Sequence, residues 1–371
     1  MSAMTSVSNN VPVDADTTRP LVSVVIPFYK HKAYINETLR TCFGNTYPRM
    51  EVLIIDDGSP DPLTFADLTL DTSRYPLTIH RLGENRGVAH ARNTGITLAR
   101  GELVALLDAD DLWRPDIIEK QVNIFQDDPA TDWVYTNSYY LIDGKVMHKP
   151  NSAYHGFCND RMPTGKDVNA QHLAGHNYMT LSSNMFRKSA LLAAGLFNER
   201  LKVSEDWDLF VRVAERFNVR AIDEPLMFYR IHRHGRASGS QQFYVSTNVA
   251  ILRHMYERQG LLPGRIDDFR RAKARIYERA GIQRLNNGLN PQARHYLFHR
   301  NTAFLDQRLR LNCLRLFACL PGWCYKAALF LFNFDWNFFS APIFSPRQAP
   351  GPLPPAAWGP QSPSEAGRVA R

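Results

Sequence analysis

The sequence predicts an α/β protein in which a doubly wound, mostly parallel sheet is flanked by helices and followed by a C-terminal α-helical extension. Over residues 20–240, short apolar, β-branched runs alternate with segments of helical periodicity, which is typical of consecutive β–α units. Because several runs are apolar throughout, their strands are expected to be buried on both faces. Polar and acidic residues directly follow three of these runs, at the sheet edge where such folds bind ligands.

The predicted elements follow one another along the chain with short connections. Strands are predicted at 21–28, 51–56, 77–82, 103–108, 133–141, 219–223 and 226–231. Helices are predicted at 32–43, at 87–99, from Pro115 as a first helical residue, near 187–194 and near 205–217.

The composition is that of a globular protein with an uneven charge. The 371 residues, 44% hydrophobic and 22% charged, are enough for two or three domains. Residues 251–371 carry 18 of the 44 basic and 7 of the 36 acidic side chains, which gives +11 there and leaves −3 for residues 1–250. A basic surface confined to the rear argues against nucleic acid as a partner and suggests a separate electrostatic contact. The five cysteines include no CxxC pair, so neither a disulfide framework nor a zinc site is expected.

The first candidate site is Asp108-Ala109-Asp110-Asp111, which follows the strand predicted at 103–108. Carboxylates this close together repel one another unless a cation lies between them. Hard oxygen ligands suit Mg²⁺ or Mn²⁺ held together with a diphosphate. The alternative is a solvated acidic turn that caps the next helix.

Two further motifs have the chemistry to bind a nucleotide. In the segment 56–59, two aspartates can accept hydrogen bonds from a base N–H or a ribose hydroxyl, and Gly58 permits a sharp turn. Arg86 precedes the N-terminus of the next helix and Arg92 lies within that helix, which together make an anion site. A plain turn and two surface arginines are the alternatives.

Two motifs near the end of the regular pattern complete the set. Glu205 and Asp206 open a predicted helix, where one carboxylate could act as a general base or both could simply compensate the helix dipole. The cationic segment 229–236 follows a predicted strand and could bind a leaving diphosphate, and His232 within it could ligate a metal. A basic surface loop is the alternative.

The order of these motifs resembles the bacterial family 2 glycosyltransferases of the GT-A fold. The segments that carry the resemblance are, in order, VSVVIPFY, EVLIIDDGS, NRGVAHARNTG, LVALLDADD, SEDWDL and YRIH, and they cover residues 21–235. The combination is specific for the family and much less so for the substrate. It implies an enzyme of the hexosyltransferase type that moves a sugar with inversion from a nucleoside diphosphate sugar, with UDP-sugars favoured. The acceptor would be a saccharide or a lipid-linked saccharide, in cell-surface polysaccharide or glycolipid biosynthesis.

The resemblance also implies a role for each candidate residue. Asp206, paired with Glu205, would be the general base, and Asp110 and His232 would bind Mn²⁺ or Mg²⁺ at the diphosphate. The remaining candidates would border the nucleotide sugar: Pro27, Tyr29, Asp56, Asp57, Arg86, Arg92, Asp108 and Arg230. Many relatives have asparagine where this chain has Lys30, so no role is carried over to that position.

Composition divides the chain into four parts. The polar residues 1–19 and the Pro-rich residues 346–371 are predicted to be disordered, and residues 20–240 form the catalytic domain. Within that domain, residues 150–178 have no clear period and are a candidate acceptor loop. Residues 241–345 are predicted to form a helical, basic and aromatic extension.

The aromatic segment 313–345 predicts a peripheral contact with an anionic membrane. Its longest nearly uncharged part, 327–334, is far short of the ~20 residues that a span requires. Tryptophan and phenylalanine beside arginine are typical of an interfacial helix, although these rings could instead pack on the catalytic domain. The N-terminus lacks the apolar segment of a signal peptide, so the expected location is the cytoplasm, at the inner face of the cell membrane.

Two alternatives stay open on the sequence alone. Another nucleotide-using transferase, such as a nucleotidyltransferase, would usually carry a Gly-rich phosphate loop after the first strand, and here that strand is followed by no glycine before Gly44. The absence of GxGxxG disfavours a dinucleotide dehydrogenase. The second alternative is a non-catalytic protein that binds a saccharide or a partner. The presence of Asp108, Asp110, Glu205 and Asp206 together argues against it.

Overall fold

A mixed sheet with helices on its two faces forms the framework of the protein. The structure is a computed structural model. It describes residues 5–13, 18–150, 179–232 and 241–258, isolated positions between 270 and 280, and the backbone of 351–352. The predicted α/β architecture, a mostly parallel sheet flanked by helices, is confirmed.

The strands and helices are numbered in chain order over the described residues. The strands are β1 (Thr5–Ser8), β2 (Val22–Phe28), β3 (Met50–Asp56), β4 (Leu77–Arg81), β5 (Leu103–Leu106), β6 (Leu112–Trp113), β7 (Trp133–Ile142), β8 (Lys145–Pro150), β9 (Asn184–Arg187), β10 (Val219–Ile231) and β11 (Gly351–Pro352). The helices are α1 (Lys32–Phe43), α2 (Val88–Leu98), α3 (Ile117–Asp127), α4 (Lys188–Ala193), α5 (Glu205–Ala214) and α6 (Gln241–Arg258). Short 3₁₀ turns cover Phe65–Asp67 and Leu181–Ser183.

The sheet has a parallel half and a mixed half. Its order is β1-β4-β3-β2-β5-β9-β7-β10-β6, and β8 pairs with β7 and with β11. Strands β4, β3, β2 and β5 run parallel, as the β–α units predict, and β7 and β10 are parallel to each other. Strand β9 lies antiparallel between β5 and β7 and so joins the two halves.

Alternating side chains on the buried strands divide the core between the two faces of the sheet. Val24 and Ile26 of β2 pack with α1 and α3 on one face, whereas Val25 packs with α2 and α5 on the other. On the second face Trp133 stacks against Phe186 and Phe210 at ring-centroid distances of 5.1 and 5.0 Å. Complete burial of a valine or isoleucine side chain, as on β2, stabilises a fold by roughly 1.5–3 kcal/mol. Both faces therefore hold the strand ends in fixed positions.

Helix α2 lies unusually close to the sheet because it carries Gly95 at the contact. A Cβ atom on Gly95 would lie 2.3 Å from Val25 Cγ1 and 3.1 Å from Ile55 Cγ1, so no larger side chain fits without displacement. Close packing at Gly95 thus brings Arg92, on the same helix, to the strand end at Asp108.

The N-terminus differs from the sequence prediction. Residues 5–8 were expected within a disordered segment, but they form β1, which extends the sheet antiparallel to β4. The side chain of Asn9 donates to the carbonyl oxygens of Thr72 and Tyr75 and accepts from the N–H of Leu77. These hydrogen bonds fix β1 to the chain next to β4, although this polar segment has little apolar surface to bury.

Three further elements depart from their predicted bounds. Strand β10 is continuous where two strands were predicted, and Pro225 lies between two register shifts against β7, a position at which a strand tolerates proline. Helix α3 begins at Ile117, two residues after Pro115. Within the tail predicted to be disordered, Gly351–Pro352 pair with β8.

Helix α6 belongs to the same core as α5 although it was assigned to the extension. Val245, Ile251, Leu252 and Met255 are buried in the cluster that contains Phe210. The predicted acceptor loop, apart from Pro150, and the aromatic segment 313–345 lie outside the described residues. Among the described residues, no helix combines the length and apolarity needed to cross a bilayer.

Candidate functional site

The carboxyl ends of β2, β3 and β5 and the end of β10 meet the N-terminus of α5 at one region of the molecule. The structure brings the predicted residues there into two contact groups that are tied together by the loop Asp108–Asp111. One group joins Asp110 to Arg230 and His232, and the other joins Asp108 to Arg92 and Glu205. This is the sheet edge at which the doubly wound fold predicts a site.

Ser182 fixes the loop Asp108–Asp111 through two hydrogen bonds. The hydroxyl of Ser182 donates to Asp111 Oδ2 at 2.5 Å and accepts from the N–H of Asp108 at 3.0 Å. Asp111 Oδ1 accepts from the N–H of Arg230 at 2.9 Å. Burial, and then the charges of Asp110 and Asp108, raise the pKa of Asp111 well above its usual range. Asp111 therefore anchors β10 to the loop rather than facing a ligand.

Asp110 and His232 form the candidate metal site. His232 Nε2 lies 2.7 Å from Asp110 Oδ2, and both side chains remain partly exposed. His31 Nδ1 lies 3.9 Å from the same oxygen, and in the described part of the chain it has no hydrogen-bond partner. Among the described residues, no group of three His, Cys, Asp or Glu side chains is arranged to hold a metal ion. One carboxylate and one imidazole suit a divalent cation whose other ligands come from a diphosphate and water.

Arg230 is held beside this pair by the backbone of Asp110 and by two residues of α1, Tyr34 and Glu37, that the sequence did not single out. Its Nε donates to the carbonyl oxygen of Asp110 at 2.7 Å and its Nη2 to Glu37 Oε2 at 2.6 Å. The guanidinium lies over the ring of Tyr34, 5.0 Å from the centroid, and the ring of His232 lies 5.0 Å from the same ring. Helix α1 thus supports the cationic end of β10. The i, i+3 spacing of Tyr34 and Glu37 at the start of α1 was the available signal.

Glu205 and Asp206 begin α5, as predicted, and their surroundings differ. Glu205 accepts a hydrogen bond from Arg92 at 2.8 Å, whereas Asp206 Oδ1 accepts one from the N–H of Trp207 at 2.7 Å. Burial and the neighbouring charge of Glu205 raise the pKa of Asp206 to about 7. Ser204 precedes the helix in the left-handed conformation, with φ of 58°, and its hydroxyl makes no capping bond. A carboxyl group with a pKa near neutrality has the property that a general base needs.

Arg92 lies beneath the site rather than at its surface. Its guanidinium donates to Asp108 and to Glu205, each at 2.8 Å, and only 6% of its side chain is exposed. Burial alone would lower the pKa of this guanidinium, but the two carboxylates raise it, so the group stays charged. The predicted contact with the nucleotide sugar stays a prediction for Arg92, although its burial favours a supporting role.

Asp56 and Asp57 are buried, and both shape the loops around them. Asp56 accepts from the N–H groups of Ser59 and Leu63, and Asp57 accepts from the N–H groups of Arg86 and Gly87 at 2.9 Å. Burial raises the pKa of Asp57 in spite of these bonds. Each carboxylate oxygen has a second lone pair, so contact with a base or a ribose stays a prediction.

Two backbone features set the shape of the predicted nucleotide edge. Gly58 has φ of 67°, and a Cβ there would lie 2.5 Å from the carbonyl carbon of Glu84. Lys30 also has a positive φ, of 63°, and its ammonium lies 4.9 Å from the centroid of the Tyr29 ring. Tyr29 is half-buried and Pro27 is buried at the end of β2.

Arg86 is exposed at the start of α2 and faces a residue that sequence reasoning missed. Its Nη2 lies 3.7 Å from Glu199, whose carboxylate also contacts His90 Nδ1 and Asn93 Nδ2, each at 3.0 Å. Burial alone would raise the pKa of Glu199, but the hydrogen bonds from Asn93 and His90 lower it. Glu199 is 106 positions from Asn93 in the sequence, so no local pattern predicts this contact.

The front half of the chain is similar to a known protein family and to several curated proteins. Residues 23–191 match the model of glycosyl transferase family 2. An uncharacterized glycosyltransferase of Rickettsia typhi is 29% identical over 221 residues, which cover 58% of this chain and 66% of that protein. The putative teichuronic acid biosynthesis glycosyltransferase TuaG of Bacillus subtilis is 34% identical over 140 residues, which cover 36% of this chain and 55% of that protein. The chain thus spans less than two thirds of each of these two relatives.

The solved structures that resemble this one share its fold. Residues 1–349 of TarS from S. aureus superpose with a TM-score of 0.55 at 17% identity, covering 85% of this chain and 92% of that one. The same protein in complex with UDP-GlcNAc gives a TM-score of 0.54. The sheet, the order of the motifs and the family match agree with one another. Residues 23–191 of this chain are therefore similar to glycosyl transferase family 2, and the described residues have the GT-A fold of the TarS structures.

Proposed function

We propose that this chain is an inverting glycosyltransferase that moves a sugar from a nucleoside diphosphate sugar to a saccharide or lipid-linked acceptor. The observation that carries the proposal is the placement of Asp206. Its pKa is raised to about 7, and it stands on the helix whose first residue is linked through Arg92 to Asp108. A base that titrates near neutrality and is linked to the loop Asp108–Asp111, the proposed diphosphate site, fits sugar transfer at physiological pH.

The cationic end of β10 supports departure of the diphosphate. Arg230 is held by Glu37 and by the Asp110 carbonyl, so its charge is fixed in place before a ligand arrives. Charge placed in advance where negative charge develops is an effective way to lower a reaction barrier. Asp110 and His232 would hold Mn²⁺ or Mg²⁺, which supplies further positive charge to the leaving group when it is bound.

Asp206 would remove the proton of the acceptor hydroxyl as that oxygen attacks the anomeric carbon from the face opposite the diphosphate. The bond from that carbon to the diphosphate oxygen breaks as the new glycosidic bond forms. General-base assistance of this kind contributes about 10²–10⁴-fold to the rate. Glu205 accepts a hydrogen bond from Arg92, and the role of base is assigned to Asp206 because its pKa is raised to about 7.

The donor class and the pathway follow from relatives and stay proposals. UDP-sugars are favoured because they are the commonest donors in the family, and the solved TarS complex contains UDP-GlcNAc. The name of TuaG, teichuronic acid biosynthesis, motivates a place in cell-surface polysaccharide or glycolipid assembly. A lipid-linked acceptor would agree with the predicted membrane contact of residues 313–345. Salt-sensitive pelleting with anionic liposomes, lost on deletion of those residues, tests that contact.

The first experiment is a thermal-shift panel of UDP-, dTDP-, GDP- and CMP-sugars, each with and without Mn²⁺. A ligand that binds only the folded state raises its stability by RT ln(1 + [L]/Kd). We expect a metal-dependent shift with one nucleotide class, and we expect Asp110→Ala to lose the metal-dependent part. Asp71→Asn, a change at an exposed aspartate of another loop, is the matched control. Folded protein that shifts with no donor would favour the non-catalytic alternative.

The second experiment measures nucleotide release with the donor that binds. Asp206→Asn should reduce turnover at least 100-fold, in line with the general-base contribution, while the donor-induced thermal shift survives. Asp127→Asn, at the exposed end of α3, is the control. Normal turnover by Asp206→Asn would remove Asp206 from the base role.

A further inference from the structure

Arg92 joins two acidic groups that come from distant parts of the chain. Its Nη2 donates to Asp108 at the end of β5, and its Nη1 donates to Glu205 at the start of α5. The separations along the chain are 16 and 113 residues. With only 6% of the side chain exposed, water screens neither contact strongly. One guanidinium thus sets the distance between the loop Asp108–Asp111 and the helix that carries Asp206.

Helix α2 guides the chain that leads into α5 at two further points. Asn93 forms two bonds to the backbone of Phe197, one as acceptor from its N–H and one as donor to its carbonyl oxygen, each at 2.9 Å. The guanidinium of Arg92 lies over the Phe197 ring, 5.3 Å from the centroid. His90 and Asn93 then bind Glu199 at 3.0 Å. Arg92 is the last of these anchors before the helix begins.

The same contacts give the first two acidic residues of α5, Glu205 and Asp206, different roles. Glu205 is engaged by Arg92, whereas Asp206 has Glu205, Arg92 and Asp108 as its charged neighbours. Burial and Glu205 raise the pKa of Asp206, and the hydrogen bond from Trp207 and the charge of Arg92 lower it. Removal of the guanidinium would therefore leave Asp206 protonated over a wider pH range and would leave Glu205 without its partner.

We infer that Arg92 is a positioning residue for sugar transfer, which clamps α5 to the Asp108–Asp111 loop and keeps Asp206 in place and available as the base. The inference rests on the proposed function. It assigns Arg92 a task other than contact with the donor, because its two terminal nitrogens donate to Asp108 and Glu205 and its Nε is buried, with no hydrogen-bond partner among the described residues.

The clamp requires arginine and not merely a positive charge. A planar guanidinium presents donors in a fork that can serve two carboxylates at once, whereas an ammonium is a point charge on a flexible stem. Lysine at position 92 would preserve the charge beside Asp206 but would not hold both Asp108 and Glu205. The electrostatic and geometric parts of the role can therefore be separated by substitution.

The test compares Arg92→Met and Arg92→Lys with Arg212→Lys. Arg212 is a matched control, since it is also a largely buried arginine that pairs with an acid of α5, Asp208, and binds backbone carbonyls, but it lies away from the loop. The pKa of Asp206 is followed by carboxyl ¹³C NMR, assigned by loss of the signal in Asp206→Asn. Turnover of the donor identified by thermal shift is measured against pH in parallel.

We expect Arg92→Met to raise the pKa of Asp206 by about one unit, at the low end of the effect of an adjacent opposite charge. The acid limb of the kcat/KM profile should move upward with it. Arg92→Lys should leave the pKa within about half a unit, because the charge stays nearby, yet lower kcat at least tenfold through lost position. Arg212→Lys should change neither quantity more than twofold.

An unchanged Asp206 pKa in folded Arg92→Met, or equal kcat losses in Arg92→Lys and Arg212→Lys, would overturn the inference. Arg92→Lys, which keeps the buried charge, carries the test if Arg92→Met does not fold. The NMR titration needs no turnover. If wild-type protein transfers no sugar from any donor, the proposed function fails, and the positioning role in the reaction fails with it, whereas the clamp is still judged by the pKa shift.

Discussion

Replacement of Asp206 by asparagine should stabilise the folded protein above neutral pH while it reduces transfer at least 100-fold. Asparagine keeps the shape of the side chain and the oxygen that accepts the hydrogen bond from Trp207, but it carries no charge. In the wild-type protein, burial and the neighbouring Glu205 make the ionised form of Asp206 unfavourable. The variant removes that unfavourable charge.

The size of the effect follows from the two pKa values of Asp206. They are 3.8 for the ordinary group and about 7 in the folded protein. An acid that binds its proton more tightly when folded loses stability as pH rises between these values, and the loss is complete above the folded value. Three units at about 1.4 kcal/mol each give about 4 kcal/mol as an upper limit. Because Asp206 and Glu205 titrate as a coupled pair, we expect the gain in free energy of unfolding to be about 2 kcal/mol.

The assay is urea unfolding of the wild type and Asp206→Asn at about pH 5 and about pH 8.5, on either side of most of the titration. The variant should gain stability over the wild type mainly at the higher pH. Asp127→Asn, at an exposed position, should show no such pH-dependent gain. If the two proteins have parallel pH profiles, Asp206 titrates at its ordinary value and the physical basis for its role as base is lost.

Three further substitutions test other parts of the structure. Gly95→Ala should lower the free energy of unfolding by about 1–3 kcal/mol through overpacking against Val25, measured by urea unfolding, and an unchanged or higher value would show that α2 can shift outward. Gly58→Ala places a side chain at positive φ and against backbone, so it should cost more than about 1 kcal/mol and weaken nucleotide binding, as read by thermal shift; wild-type behaviour would contradict the close approach. His232→Ala should lower the apparent affinity for Mn²⁺ about tenfold or more, as read from the Mn²⁺-dependent part of the donor-induced thermal shift. His254→Ala, which changes an exposed histidine on α6, should leave that affinity unchanged. An equal metal response in the two variants would exclude His232 as a ligand.

The parallel half of the sheet was predictable because its signal is local. Strand β3 and helix α1 occur where the apolar run and the helical spacing place them, within one residue at either end. Buried strands and amphipathic helices are encoded by neighbouring residues, so a single sequence is enough to find them. The same holds for the strand-end motifs, since position after a strand already fixes the edge of the sheet at which they lie.

What the sequence could not reveal depends on contacts between distant residues. Strand β1 is polar and short, and it forms because β4 offers an open edge and Asn9 finds carbonyl partners more than 60 residues away. The antiparallel course of β9 follows from its place between β5 and β7, which no local pattern specifies.

The candidate site shows the same division between local and distant information. The predicted residues do gather, yet the supporting partners Ser182 and Glu199 carry no signature of their own in the sequence, and Glu37 has only its helical spacing from Tyr34. The burial of Arg92 was also not predictable, because an arginine on a polar-looking helix face is more often exposed. Only the tertiary structure shows that it links two carboxylates.

The position of strand β9 in the sheet determines where the chain can accept insertions and deletions. The chain leaves the sheet at β8 and returns at β9, which is fixed between two neighbours in the middle of the sheet. Both ends of the connecting segment 151–178 are therefore anchored independently of its length. Closing a longer connection costs little, roughly 0.6 kcal/mol for each doubling in the flexible limit. Insertions and deletions there would leave the loop Asp108–Asp111 and helix α5 in place, so the segment can change in length while the candidate site keeps its geometry.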